Sequence, residues 1–99
     1  MTDVQGGRTG ADARWTPSED VVAEQTGDHM VLVHMQSNRI FELNRTGARV
    51  WELLKEGEDE EGIVDRMREE FEVGEDQLRG EVRRVVRQLA QEKLVTKDG

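Results

Sequence analysis

The residues able to do chemistry are few, and their spacing suits little of it. His29 and His34 are five positions apart. On a strand that spacing puts them on opposite faces, so they cannot share a metal, and each reads as structural. The chain has no cysteine, which excludes disulfides, zinc–thiolate sites and thiol catalysis. Asp and Glu number 22, so any one carboxylate pair says nothing about acid–base work. Gly7-Arg8-Thr9-Gly10 resembles part of a phosphate loop, but no strand precedes it and no lysine follows. Asn44-Arg45-Thr46 matches the glycosylation sequon, which has no meaning without a secretion signal. The informative pattern is cationic. With Val82 at zero on a helical wheel, Arg79, Arg83 and Arg87 fall at about +60°, +100° and +140°, along one flank of an apolar stripe. Gln77, Glu81, Gln88 and Glu92 fall on the other flank. The arginine flank is either a solvated face with helical ion pairs or a docking edge for an acidic, extended partner. Binding is therefore expected rather than reaction, with no catalytic residue, metal site or cofactor.

The elements that must position these residues belong to one small domain. The chain has 99 residues, 34% apolar and 36% charged, so its core is small. The net charge of −8 opposes nonspecific attraction to nucleic acid or anionic lipid. No apolar run approaches the roughly 18 residues of a membrane span, and residues 1–14 have no signal-peptide core. A cytoplasmic protein is expected, with neither nucleic acid nor membrane as partner. Residues 1–14 are expected to form a disordered tail, being rich in glycine and poor in bulky apolar side chains. Trp15 and Pro17 open the folded part.

Three strands are predicted, over residues 21–25, 29–35 and 40–43. Thr26-Gly27-Asp28 forms the first turn and Ser37-Asn38 a tight second turn, with Asn38 left-handed. That loop would pair Met35 with Ile40, His34 with Phe41 and Leu32 with Leu43. One face then carries Met30, Leu32, His34, Phe41 and Leu43. The other carries Val31, Val33, Met35, Ile40 and Glu42, also largely apolar and open to cover by the N-terminal segment or by a partner. Three helices follow. Thr46 is the expected N-cap of the first, which buries Val50, Trp51 and Leu54. Asp59 or Glu60 starts the second, with Ile63, Val64, Met67 and Phe71 as its stripe. Glu75-Asp76 opens the third, running to about Glu92 with Leu78, Val82, Val85, Val86 and Leu89 inward. Leu94 and Val95 tuck back onto the core.

The expected class is α+β and winged helix-turn-helix-like: a three-stranded antiparallel sheet followed by three helices. Two binding modes suit it. A DNA-binding regulator would use the third helix as reader, against the net charge and with Glu81 and Glu92 in the way. In the other mode a peptide adds to the open edge of the third strand and lies against the third helix.

Glu42-Leu43-Asn44, then Thr46-Gly47, then Trp51 and Leu54, resembles the PqqD-like family of precursor-peptide recognition elements. The strand pair before this motif and the helices ending in "VVRQLAQEKLV" extend the resemblance over residues 15–96. It implies a domain that binds the leader of a ribosomally made peptide as an added antiparallel strand. The implied contacts are Arg39, Ile40, Phe41, Glu42 and Leu43 on the strand. Those on the helix are Leu78, Arg79, Val82, Arg83, Val86 and Arg87. The quinone-cofactor members carry a Pro-Glu-Gly element before the strand and an Asp-Gly after the first helix. Ser37-Asn38-Arg39-Ile40 and Lys55-Glu56-Gly57 stand there instead. Thr-Gly-Ala after the Asn is closer to the freestanding recognition subunit of lasso-peptide clusters. Such a subunit hands the leader to a partner leader peptidase, a cysteine protease. The alternative is a chaperone presenting a precursor peptide to a radical enzyme.

Overall fold

The computed structural model describes residues 14–97. The expected tail, with its Gly7-Arg8-Thr9-Gly10 stretch, lies outside the described residues except for Arg14, which is exposed. The elements run β1 (Trp15–Pro17), β2 (Val21–Thr26), β3 (His29–His34), β4 (Arg39–Leu43), α1 (Arg45–Lys55), α2 (Glu60–Arg68), α3 (Glu75–Gln91) and β5 (Val95–Lys97). The expected antiparallel sheet is β2-β3-β4, and three helices follow it. β1 and β5 pair antiparallel as a second, two-stranded sheet that the sequence did not announce. Three residues are too few to set up a period-two pattern, and Pro17 argues locally against a strand. This ribbon joins the two ends of the described chain, where Leu94 and Val95 are buried and Trp15 packs on the core.

The β3–β4 register differs from the expected one. Leu32 faces Phe41, Val33 faces Ile40 and Met30 faces Leu43, so the loop is four residues long, 35–38. Its closure is helical in character: Asn38 N–H donates to the His34 carbonyl at 2.8 Å, and Asn38 is left-handed at φ 60°. The register moves by two residues, an even number, so the predicted faces survive intact. Met30 and Leu32 are buried on the inner face, against the helices. On the outer face Val22, Met35 and Ile40 remain exposed.

The strand-to-helix junction explains the Asn-x-Thr-Gly sequence. Asn44, not Thr46, caps α1: it is extended (φ −76°, ψ −174°), and its Oδ1 accepts from Gly47 N–H at 2.9 Å. Thr46 already lies inside the helix. Gly47 suits this close packing, since a Cβ there would sit 3.3 Å from Leu43 Cβ and Leu43 would have to shift by a few tenths of an ångström. Asp59 caps α2 in the same way, accepting from Gly62 N–H at 2.8 Å. The buried stripe of α3 is Leu78, Val82, Val85, Val86 and Leu89, as its periodicity predicts. Trp51, Leu53, Ile63 and Met67 complete the centre of the core.

One ion-pair cluster ties α1 to the end of α2. Arg49 donates to both oxygens of Glu70 at 2.8 and 2.7 Å and to Glu52 at 3.0 Å. The bidentate bond from Arg49 holds the Glu70 carboxyl below the usual carboxylate range. Next to it the Arg45 guanidinium stacks 4.5 Å from the Phe71 ring centre.

Two predictions follow from these contacts. Asn44→Ala removes the α1 cap and should cost about 1 kcal/mol in urea denaturation. Glu70→Gln should lower stability at neutral pH by a modest, solvent-screened amount. Because the folded carboxyl is the more acidic, its contribution exists above the unfolded pKa and disappears as pH falls through the folded one. The gap between variant and wild type should therefore close in acid; a gap that persists at pH 2 would refute the assignment.

Candidate functional site

In the order β2-β3-β4, β4 pairs on one side only, which leaves its other edge open. An open edge presents unpaired backbone N–H and C=O groups, alternate residues pointing outward. Beside this edge lies a groove of about 560 Å³. Ile40, Phe41, Glu42 and Leu43 of β4 form one wall, with His29 next to them and Asn44 and Gly47 at the junction. Arg84, Val85, Gln88 and Leu89 of α3 form the other, with Glu92 and Leu94 beyond its end.

The groove has an apolar floor and a polar rim. Val85, Leu89 and Leu94 are buried at its base, and Phe41 and Leu43 pack on the same core. Gln88 stands midway along the α3 wall. Arg84 donates to Glu81 at 2.6 Å, a pair on the exposed surface. At the other end Arg39 reaches from β4 to Glu92 at 2.8 Å, and its guanidinium lies 5.0 Å from the Phe41 ring centre. That bridge places the start of β4 beside the end of α3, so strand and helix run in opposite senses.

The structure gathers the expected strand residues and divides the expected helix residues. Ile40, Phe41, Glu42 and Leu43 line the groove, and Arg39 spans one end of it. Leu78, Val82 and Val86 are 2%, 0% and 1% exposed, inside the core and out of reach of anything on the surface. Arg79 faces α2, bonded to Glu61 and Glu75. Arg83 stands 3.9 Å from Glu60 at the start of α2. Arg87 lies on the far side of α3, with Trp15 and Ala90 near it. The groove is thus on the flank of Glu81, Gln88 and Glu92, opposite the arginines. A helical wheel yields both flanks of the stripe but not which one α2 covers. His29, read as structural, stands at the groove margin, its Nδ1 2.8 Å from Asp28. Among the described residues no group of His, Asp and Glu is arranged to hold a metal ion.

Comparison with known proteins gives a consistent set of likenesses. The family described as coenzyme PQQ synthesis protein D (PqqD) matches residues 29–95. The solved structure of TbiB1 in complex with the TbiA(beta) leader peptide is 35% identical over 81% of this chain and 93% of its own, with a TM-score of 0.76. The lasso peptide synthetase B1 complexed with the leader peptide is 21% identical and shares the fold, with a TM-score of 0.77 over 85% and 99% of the two chains. A search of curated proteins finds no match.

Proposed function

The chain belongs to the PqqD family, and from that premise we propose that it binds the leader segment of a ribosomally made precursor peptide. The leader adds as an antiparallel strand to the open edge of β4 and lies in the groove against α3. The observation that carries this reading is the pairing of an unsatisfied strand edge with an apolar floor alongside it. Backbone bonds to β4 supply affinity that is indifferent to sequence. Alternate side chains of the added strand drop between Phe41, Leu43, Val85 and Leu89 and supply specificity. The solved structure of TbiB1 in complex with a leader peptide, 35% identical to this chain, supports a leader peptide as the ligand.

Within this reading, residues 15–96 form one peptide-recognition unit, and the unit does no chemistry of its own. It delivers the leader to a partner leader peptidase of a lasso-peptide pathway, in the cytoplasm, by raising the local substrate concentration. No helix of the described residues is long and apolar enough to cross a membrane. The contact set is Arg39, Ile40, Phe41, Glu42 and Leu43 with Arg84, Val85, Gln88, Leu89 and Glu92. Arg79, Arg83 and Arg87 are not in the groove set, because that flank of α3 faces α2 and solvent.

The test titrates the chain with a synthetic precursor leader peptide. On binding, amide exchange should slow within the leader and along residues 39–43, with smaller changes from Arg84 to Glu92. Protection confined to the loops at Gly57 and Gly74 would place the peptide elsewhere. A second measurement isolates the backbone bonds. Proline at Phe41 or Glu42 removes a strand N–H, and only one of the two points outward. The outward variant should stay folded and bind at least ten-fold more weakly. If both folded variants bind as tightly as wild type, β4 is not the docking edge.

A further inference from the structure

Gly80 is an anomaly in α3. Glycine in a helix interior costs stability relative to alanine, and it is kept where something needs the space. Here nothing in the fold does: a Cβ built at Gly80 meets no atom within 4 Å, and the residue is exposed. Gly80 lies one turn before Arg84, and together with Arg84, Arg87, Gln88 and Gln91 it forms one stripe along the helix. With Arg83 these residues enclose a second depression, of about 420 Å³, on the outer side of α3. Arg84 and Gln88 border both this depression and the β4–α3 groove, so the two are continuous over the helix.

The charge on this side is also unusual for the molecule. The chain carries −8, and its other central arginines are neutralised by carboxylates or stacked: Arg39 on Glu92, Arg49 on Glu70, Arg66 on Glu58, Arg68 on Glu75, Arg79 on Glu61. Among the described residues Arg87 has no ion-pair partner, and Arg83 is held only loosely, 3.9 Å from Glu60 and 59% exposed. Two weakly held guanidinium groups thus stand beside a bare stretch of helix.

We propose that the outer flank of α3 is a second recognition surface. It takes an acidic segment of the same precursor peptide, which crosses the helix at Gly80 and places its carboxylates on Arg83 and Arg87. This rests on the leader-binding reading above. The polarity of the groove says which segment. β4 and α3 run in opposite senses, so a strand added antiparallel to β4 has its N-terminal end beside Asn44 and Arg84. The flank preceding the strand is therefore the one that emerges next to Gly80. Missing side-chain bulk lets a backbone pass close to the helix, and charge-assisted bonds to guanidinium groups hold it there.

The experiment uses three synthetic peptides: the leader strand alone, and the strand preceded by three glutamates or by three glutamines. Wild type should bind the glutamate form about ten-fold tighter than the glutamine form at low salt, and the advantage should vanish at 0.5 M salt. It should also vanish in Arg83→Glu/Arg87→Glu, while the strand alone binds that variant and wild type equally. Gly80→Leu should raise the melting temperature yet lose the glutamate advantage, which a merely structural glycine would not do. Glutamates placed after the strand instead of before it should give no gain. Equal affinity of the glutamate and glutamine forms for wild type overturns the proposal while leaving the groove intact. A strand-only peptide that fails to bind wild type removes the underlying reading and this one with it. Duplex DNA retained by wild type and released by the Arg83→Glu/Arg87→Glu variant would assign the flank to nucleic acid instead.

Discussion

The close approach of Gly47 to Leu43 is the constraint on which the arrangement of this molecule depends. A strand that ends against the inner face of its own sheet must turn sharply into the next element. Here the turn takes a single residue, Asn44. Asn44 bonds the Gly47 amide, and the absence of a side chain at Gly47 lets the first turn of α1 lie on Leu43. The helix then leaves on the inner side, burying Val50, Trp51, Leu53 and Leu54. Because the helix exits inward, it does not cover the outer edge of β4. The same junction therefore builds the core and leaves the outer edge of β4 open.

The second organising feature is electrostatic. With 22 acidic and 14 basic residues, many arginines find a carboxylate nearby, and most of these pairs are exposed and individually weak. Their value is in orientation. Arg49 reaches from α1 to Glu70 beyond α2, and Arg79 from α3 to Glu61 on α2, so the three helices are cross-linked on the side away from the groove. Arg39 and Glu92 do the equivalent at the groove's end. Arg83, loosely held by Glu60, and Arg87, with no ion-pair partner among the described residues, lie outside this set of close pairs.

Docking a peptide on β4, as proposed, would place two demands on this molecule. It must keep one strand edge unpaired without pairing to other copies of itself, and it must order a flexible peptide against an entropy cost of a few kcal/mol. A five-residue edge beside a helix wall meets the first by being short and recessed. The apolar floor under Phe41 and Leu43 would answer the second, since burial of alternate peptide side chains would add to the backbone bonds.

The sequence by itself determined whatever depends on local pattern. Alternation along residues 29–35 and 40–43 settled the two faces of the sheet, and these survived a two-residue error in register because the side-chain period is two. The 3.6-residue stripe settled which α3 residues are buried. Acidic residues before Ile63 and before Leu78 marked the helix starts to within a residue. Other features were decided only in the tertiary structure. The cap fell to Asn44 over Thr46 because the packing of Gly47 on Leu43 set where the helix begins. The β1–β5 ribbon depends on two three-residue segments some eighty positions apart, which no local window joins. Which flank of α3 faces the groove was likewise beyond the sequence. Both flanks border the same stripe equally, and only the placement of α2 against Arg79 and Arg83 turns the other flank, with Arg84, Gln88 and Glu92, toward β4.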